Sequence, residues 1–241
     1  MASRIRIDRL LVERGLFESR AKAQAAIAAG RVMANEIPVV KASDEVSADV
    51  VLRAEPAHPY VSRGGMKLAA ALDHFRFDPC GRVCLDVGAS TGGFTDLLLA
   101  RGAQRVYAVD VGHRQLHRCL RARPEIISIE DTDIRRLDPG RLGERPDFIT
   151  IDVSFISLKL VLPATLRLAA MPALLLALIK PQFETRRAKK GIVRDPLVHT
   201  AVCDNIASCL ASLGWDVAGV IPSPIPGGDG NREFFIGAFH D

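Results

Sequence analysis

The 241-residue chain has no CxxC pair, and its five cysteines (Cys80, Cys84, Cys119, Cys203 and Cys209) are odd in number. Neither a disulfide framework nor a bound metal is therefore expected, and thiols kept reduced are the simpler reading. Long apolar runs are missing too. The longest uncharged stretch among the strand-like segments, residues 168–179, contains Pro172 and falls short of the about 20 apolar residues that a bilayer span takes. The opening MASRIRIDRL is charged at once and has no apolar core of a secretory signal. The expectation is a cytoplasmic, monomeric protein that does not insert into membranes. With 48% hydrophobic and 25% charged residues, the composition excludes disordered and fibrous classes. The length suits a small module followed by one α/β domain.

The formal net charge is only +4, which is compatible with a polyanionic partner without requiring one. Its distribution says more. Residues 1–31 hold seven Lys/Arg against three Asp/Glu, whereas residues 32–60 hold two against five. In the basic segment Asp8 is placed to cap a short helix ending at Gly15, and Ser19 to cap RAKAQAAIAAG, ending at Gly30. Short strands are expected over residues 31–34 and 37–40, around an Asn35-Glu36 turn, and over residues 49–52. Arg4, Arg6, Arg20, Lys22 and Arg31 flank the helices, whose alanine-rich faces permit close approach to a nucleic-acid backbone. The pattern resembles the S4 RNA-binding domain over residues 1–55, although the usual Asn-Gly turn is Asn-Glu here. Arg4, Arg6, Arg20, Lys22 and Lys41 are the expected phosphate contacts, which position RNA without specifying its sequence. Residues 56–61 form the expected linker, within the aperiodic, proline-bearing RAEPAHPY.

From residue 62 to 241 the rhythm changes. Strand-like runs at 82–87, 105–111, 126–129, 147–152, 173–179 and 215–221 alternate with helical stretches, which predicts a largely parallel sheet with helices on both faces. A last run, 233–239, follows a Pro/Gly-rich segment without an intervening helix and should return antiparallel beside its predecessor.

The first of these strands, RVCLDVG, leads through ASTGGF into the apolar TDLLLARG, so Gly88, Gly92 and Gly93 fall on a strand-to-helix turn. That is where a doubly wound sheet holds nucleotides. A dinucleotide loop needs glycine two residues after its first, but that position is Ser90, so a pyrophosphate cradle is poorly supported. S-adenosylmethionine has no phosphate to cradle and suits the loop better. Asp86 on the first strand is expected to meet its amino group, Asp110 its ribose hydroxyls, and Asp133 its adenine amine. Ala89, Ser90, Thr91 and Phe94 complete the loop, and Val111 and Ile134 flank the two later acids.

Ligands of open α/β sheets bind at the carboxyl ends of the strands. Asp152 and Lys180 end the fourth and fifth strands. An antiparallel last strand starts at that edge with Glu233, and the helix carrying SRGGMKL, which must run opposite to the first strand, brings Lys67 there. Two lysines and two acids are thus expected to converge beside a methyl donor. A ribose hydroxyl is a weak acid, so its methylation calls for a base or a field that favours alkoxide, and a lysine is a base only when neutral. Arg63 is expected to help hold RNA near this site. Phe155 is read either as a stacking partner for an extruded base or as a core residue.

The motifs YVSRGGMKL, LDVGASTGGFTD, IDVSFISL, IKPQFE and GNREFF, in this order, resemble the TlyA family within the FtsJ-like methyltransferases, over essentially the whole chain. The resemblance implies a Rossmann-like class I methyltransferase domain after the S4-like one. It also implies S-adenosylmethionine-dependent 2′-O-methylation of cytidine in ribosomal RNA within a ribosomal subunit, either 23S alone or 23S together with 16S. Its Lys-Asp-Lys-Glu tetrad falls on Lys67, Asp152, Lys180 and Glu233. The competing readings are a membrane-active haemolysin, carried only by the family's old label, and a non-catalytic S4-type ribosome-binding factor. An S4-bearing pseudouridine synthase lacks support because no uridine-attacking Asp motif is present.

Overall fold

The computed structural model describes residues 4–186 and 191–241, which belong to two units, Met1–Pro59 and Tyr60–Asp241. In the first unit a strand β1 (Arg4–Arg6) runs into helix α1 (Ile7–Glu13), followed by helix α2 (Arg20–Ala28). Strands β2 (Val32–Ala34), β3 (Ile37–Pro38), β4 (Glu45–Ser47) and β5 (Leu52–Ala54) complete it. The helices bury Ile7, Leu11, Ala23, Ala26 and Ile27 together with Val32 and Val39. Ser19 caps α2 as expected, accepting from the Lys22 amide. Asn35 and Glu36 both take positive φ, 48° and 64°, which fits the twist of a two-residue hairpin turn even without glycine. Asn35 anchors that turn by accepting from the Val51 amide.

Two expectations for this unit are corrected, and one strand pairing is new. Asp8 does not cap α1: it lies within the first turn, fully buried, and accepts from Arg6, Arg20 and Gln24. These donors outweigh its burial and hold its carboxyl well below the usual carboxylate range. The last strand begins at Leu52 rather than Asp49, because Ser47 donates to the Asp49 carboxylate and the Val50 amide closes on the Ser47 carbonyl, forming a turn there. The β1–β4 pair was not expected, its strands being three residues each and without visible alternation.

The second unit opens with helix α3 (Gly64–Phe75) and then alternates: β6 (Val83–Val87), α4 (Gly93–Ala100), β7 (Arg105–Val109), α5 (Arg118–Arg121), β8 (Ile126–Ile129), β9 (Phe148–Ile151), α6 (Leu158–Leu166) and β10 (Ala173–Ile179). Helices α7 (Pro181–Glu184) and α8 (Pro196–Ser212) and strands β11 (Asp216–Pro222) and β12 (Phe234–His240) follow. The seven strands lie in the order β11-β12-β10-β9-β6-β7-β8, with β12 antiparallel to both neighbours. The central strand is β9, so Lys180 ends the strand beside it. Strands β6 and β9 are buried throughout, as strands covered on both faces must be. One face packs Leu68 and Leu72 of α3 and Leu97 and Leu98 of α4; the other packs α6 and α8 through Val161, Leu162, Val202 and Ile206. Gly237 of β12 leaves room for the Phe75 ring, which would lie 2.8 Å from an added Cβ. No helix among the described residues is long and apolar enough to cross a membrane.

Candidate active site

After β6 the chain turns outward to β7 and β8, then crosses back to β9 on the other side of β6. The cleft created by that reversal lies at the carboxyl ends of β6 and β9. Gly88 follows β6 with φ of 81°, and a Cβ there would stand 2.5 Å from the Asp152 carbonyl oxygen. Only glycine satisfies both the conformation and the approach.

Two adjoining cavities open here. One, of about 300 Å³, is lined by Ser62, Arg63 and Lys67, by the 88–94 loop, and by Asp152, Ser154 and Lys180. The other, of about 420 Å³, is lined by Asp110, Val111, Asp133 and Ile134 and by the Asp152–Ile156 segment. Gly88, Ala89, Ser90, Thr91, Gly93 and Phe94 all face the first cavity. Gly92 is turned away from it: a Cβ there would collide with Leu120 and Leu116. Its φ of 93° lets the loop enter α4.

Asp110 accepts from the Ser90 amide at 2.8 Å and the Gly112 amide at 2.7 Å, one on each oxygen. The two amides fix the carboxylate and leave further lone pairs on both oxygens, the arrangement a diol would need. Asp133 also lines the second cavity, but Arg135 grips it, with Nη2 at 2.6 Å, and the Arg135 amide donates to it as well. The side-chain bonds from Arg135 hold its carboxyl below the ordinary range.

Asp86 lies elsewhere from its expected place. It is fully buried, lines neither cavity, and accepts from Thr95 Oγ1 at 2.7 Å and Thr150 Oγ1 at 3.0 Å. Contact with a cofactor amino group is therefore corrected to a tie between α4, β6 and β9. Burial pushes its carboxyl up to about 7, against the two hydroxyls. An unfolded aspartate ionises near 4, so between about pH 4 and 7 the folded state alone keeps this proton. Stability from Asp86 is full below pH 4 and is lost as pH rises to about 7. Asp86→Asn should flatten that part of the stability profile. Thermal unfolding followed from pH 4 to 7 measures it, and an unchanged slope would exclude Asp86 as its source.

The four residues expected to converge form two ion pairs. Lys67 Nζ lies 2.6 Å from Glu233 Oε2, with side-chain exposures of 10% and 3%. Lys180 Nζ lies 2.5 Å from Asp152 Oδ1 and donates to Ser154 Oγ at 2.9 Å. Lys67, Asp152 and Lys180 face the same cavity, and Glu233 stands behind Lys67. Phe155 is not a core residue. It is 90% exposed, has φ of 65°, and lies against Phe183 with ring centroids 5.1 Å apart. Arg63 lines the first cavity.

In the first unit, Arg4 donates to the Glu45 carbonyl, Lys22 pairs with Glu18, and the Lys41 amide donates to Asp44. Arg6 and Arg20, expected to be free for phosphates, both turn to Asp8, with 46% and 55% of their side chains still exposed. Sequence reasoning missed Ser154 and Arg135. Ser154 was visible only as a position between Asp152 and Phe155, and Arg135 only as two residues beyond Asp133.

A seven-stranded sheet with one antiparallel strand, a glycine turn after its first strand and acids after the next two is the fold of a class I methyltransferase. Residues 60–239 match the FtsJ-like methyltransferase family and residues 5–52 match the S4 domain; the chain belongs to the FtsJ-like methyltransferases, in the TlyA branch. It is 44% identical over 243 residues to the 16S/23S rRNA (cytidine-2′-O)-methyltransferase TlyA of Mycobacterium tuberculosis, covering 98% of this chain and 90% of that protein. Among solved structures, "Putative hemolysin from Streptococcus thermophilus" matches with a TM-score of 0.77 at 38% identity, covering 100% of this chain and 90% of that one. Magnesium protoporphyrin IX methyltransferase from Synechocystis, solved with bound SAH, matches in fold alone, with a TM-score of 0.51 at 16% identity over 74% of this chain and 84% of that one.

Proposed function

We propose that this chain transfers a methyl group from S-adenosylmethionine to the 2′-hydroxyl of a cytidine in ribosomal RNA, acting as a monomer on a ribosomal subunit. The observation that carries the reading is the meeting of the Lys180–Asp152 and Lys67–Glu233 pairs with the 88–94 loop at one sheet edge. S-adenosylmethionine, when bound, supplies an electrophilic methyl group on a sulfonium. The cavities fit it: the glycine loop admits a close backbone approach, and the fixed Asp110 carboxylate is a ribose acceptor. Lys180 then acts on the target 2′-hydroxyl as base or alkoxide stabiliser, Asp152 and Glu233 orient the lysines, and Lys67 tunes the field. Phe155, exposed at the rim, offers a ring to an extruded base.

Tritium transfer from labelled S-adenosylmethionine into purified 16S or 23S RNA, in subunits and free, tests this. The methylated nucleotide should resist alkaline cleavage, which needs a free 2′-hydroxyl. Label on a base would overturn the reading. Asp110→Ala should weaken cofactor binding about 10- to 100-fold, the worth of hydrogen bonds to a charged group. Calorimetry reads it directly, and unchanged affinity would remove Asp110 from the ribose site.

The S4 unit anchors the RNA by charge. Because Arg6 and Arg20 also hold Asp8, neutralising them confounds binding with folding. Arg4, Lys22 and Lys41 are cleaner. Changing these three together to glutamine should lower RNA affinity and reduce the steepness of its salt dependence by about 0.7 for each phosphate no longer neutralised. A salt slope equal to that of the unaltered protein would place the phosphate-binding residues elsewhere.

A further inference from the structure

We propose that Ser154 is a positioning residue for methyl transfer, whose hydroxyl fixes the direction in which Lys180 presents its lone pair. The proposal rests on Lys180 as the group that acts on the 2′-hydroxyl. Lys180 Nζ meets Asp152 Oδ1 at 2.5 Å and Ser154 Oγ at 2.9 Å, and all three residues line the cavity that also holds Lys67. A neutral amine has one carbon, two N–H bonds and one lone pair around its nitrogen. With no acceptor the amine turns about Cε–Nζ, and its lone pair sweeps a cone. The bond to Ser154 takes one N–H and stops that rotation. The Asp152 carboxylate, an ion-pair partner 2.5 Å away whose Oδ1 makes no hydrogen bond among the described residues, draws the second N–H to its side by charge and leaves the lone pair the side away from it. In the ammonium form the third N–H occupies that same direction, ready to donate to an alkoxide. Ser154 therefore serves both steps of the proton's movement: the 2′-hydroxyl proton passes to Nζ as the oxygen takes the methyl group, and no other atom changes hands at the serine.

The serine is held firmly enough for this. Its segment is fastened to α7, the helix that begins directly after Lys180, at two further points. Glu184 accepts from Ser157 Oγ at 2.5 Å and from the Leu158 amide at 2.7 Å, and the Phe183 ring packs on Phe155. Lysine and serine thus sit on two pieces of chain that are locked to each other in the residues directly following both. A geometry fixed in advance in this way lowers the barrier by removing misaligned approaches.

Ser154→Ala, Ser154→Thr and Lys180→Ala would be compared in the full-length protein by single-turnover methylation at saturating S-adenosylmethionine and RNA, with the affinity for each measured separately. Ser154→Ala should slow the chemical step about 10-fold, the scale of a modest misalignment, with both affinities and the melting temperature unchanged. Ser154→Thr, which keeps the hydroxyl, should restore most of the rate. In a Lys180→Ala background, Ser154→Ala should have no further effect. A full rate for Ser154→Ala beside a severe loss for Lys180→Ala would overturn the role of Ser154 alone. A full rate for Lys180→Ala would overturn the reading of the lysine on which it stands. A loss for Ser154→Ala that follows cofactor affinity or melting temperature would make the serine structural and also overturn the proposal.

Discussion

Replacing Lys180 with alanine is expected to lower the single-turnover rate of methyl transfer about 10²- to 10⁴-fold, the usual worth of one positioned proton-transfer group. Affinity for S-adenosylmethionine and for RNA should stay within about twofold, because the lysine's contacts are with Asp152 and Ser154, within the catalytic cavity. Methyl transfer from a sulfonium is already favourable, so orientation and help with one proton are what remain for the protein to supply. Asp152 retains 23% side-chain exposure, and although its Oδ1, which faces the lysine, is buried, the space left by the truncated side chain opens it to water from the cavity. The variant should fold. A near-normal single-turnover rate would mean that proximity alone, or Lys67, carries the chemistry.

Glu233→Ala should act through stability first. Its partner Lys67 is about as buried as it is, and the two touch at 2.6 Å; the loop closes behind, with a Cβ on Gly227 only 2.6 Å from Glu233 Oε1. Removing one member of a buried pair leaves an ammonium without compensation, which costs about 3–5 kcal/mol. In a unit of this size that is a fall in melting temperature of about 6–20 °C. Replacing both, as Lys67→Met with Glu233→Leu, removes the buried charge altogether and should recover most of the loss. The double variant should still methylate poorly, since the field beside Lys180 is gone. Calorimetric scans paired with single-turnover assays separate the two effects. A double variant as unstable as Glu233→Ala would show that packing at Gly227, not charge, governs this corner.

Much of this site was readable because strand direction is readable. ALLLALI of β10 is an uninterrupted apolar run and FITI of β9 is broken only by Thr150, and each is followed directly by a charged residue. Once alternation with helices set the strands parallel, those charges had to share an edge. Glu233 joined them because the Pro/Gly-rich segment before β12 leaves no length for a crossover helix. The misreadings have one physical source. Asp86 and Asp8 carry short polar side chains that each take a remote partner beside a near one: Thr150 is 64 residues from Asp86, and Gln24 is 16 from Asp8. A sequence displays an acid at a strand or a helix start, not the hydroxyls or guanidinium groups that will close over it. Asp133 shows the intermediate case. Its position beyond the third strand was legible, while the Arg135 fork two residues on depends on a tight turn with no sequence period.

The place of β12 in the sheet has a consequence for how the protein comes into being. It is made after β11, yet it lies between β11 and β10. Until it emerges, β11 has no strand to pair with and β10 has an open edge, the kind of exposed template that recruits other chains. Lys67, synthesised long before, is without its counter-ion for the same interval. A growing chain therefore passes through a stage in which the cofactor loop, its strands and the Lys180–Asp152 pair exist but Glu233 does not yet stand behind Lys67. The enzyme becomes competent only when its interior is finished from the last strand inward.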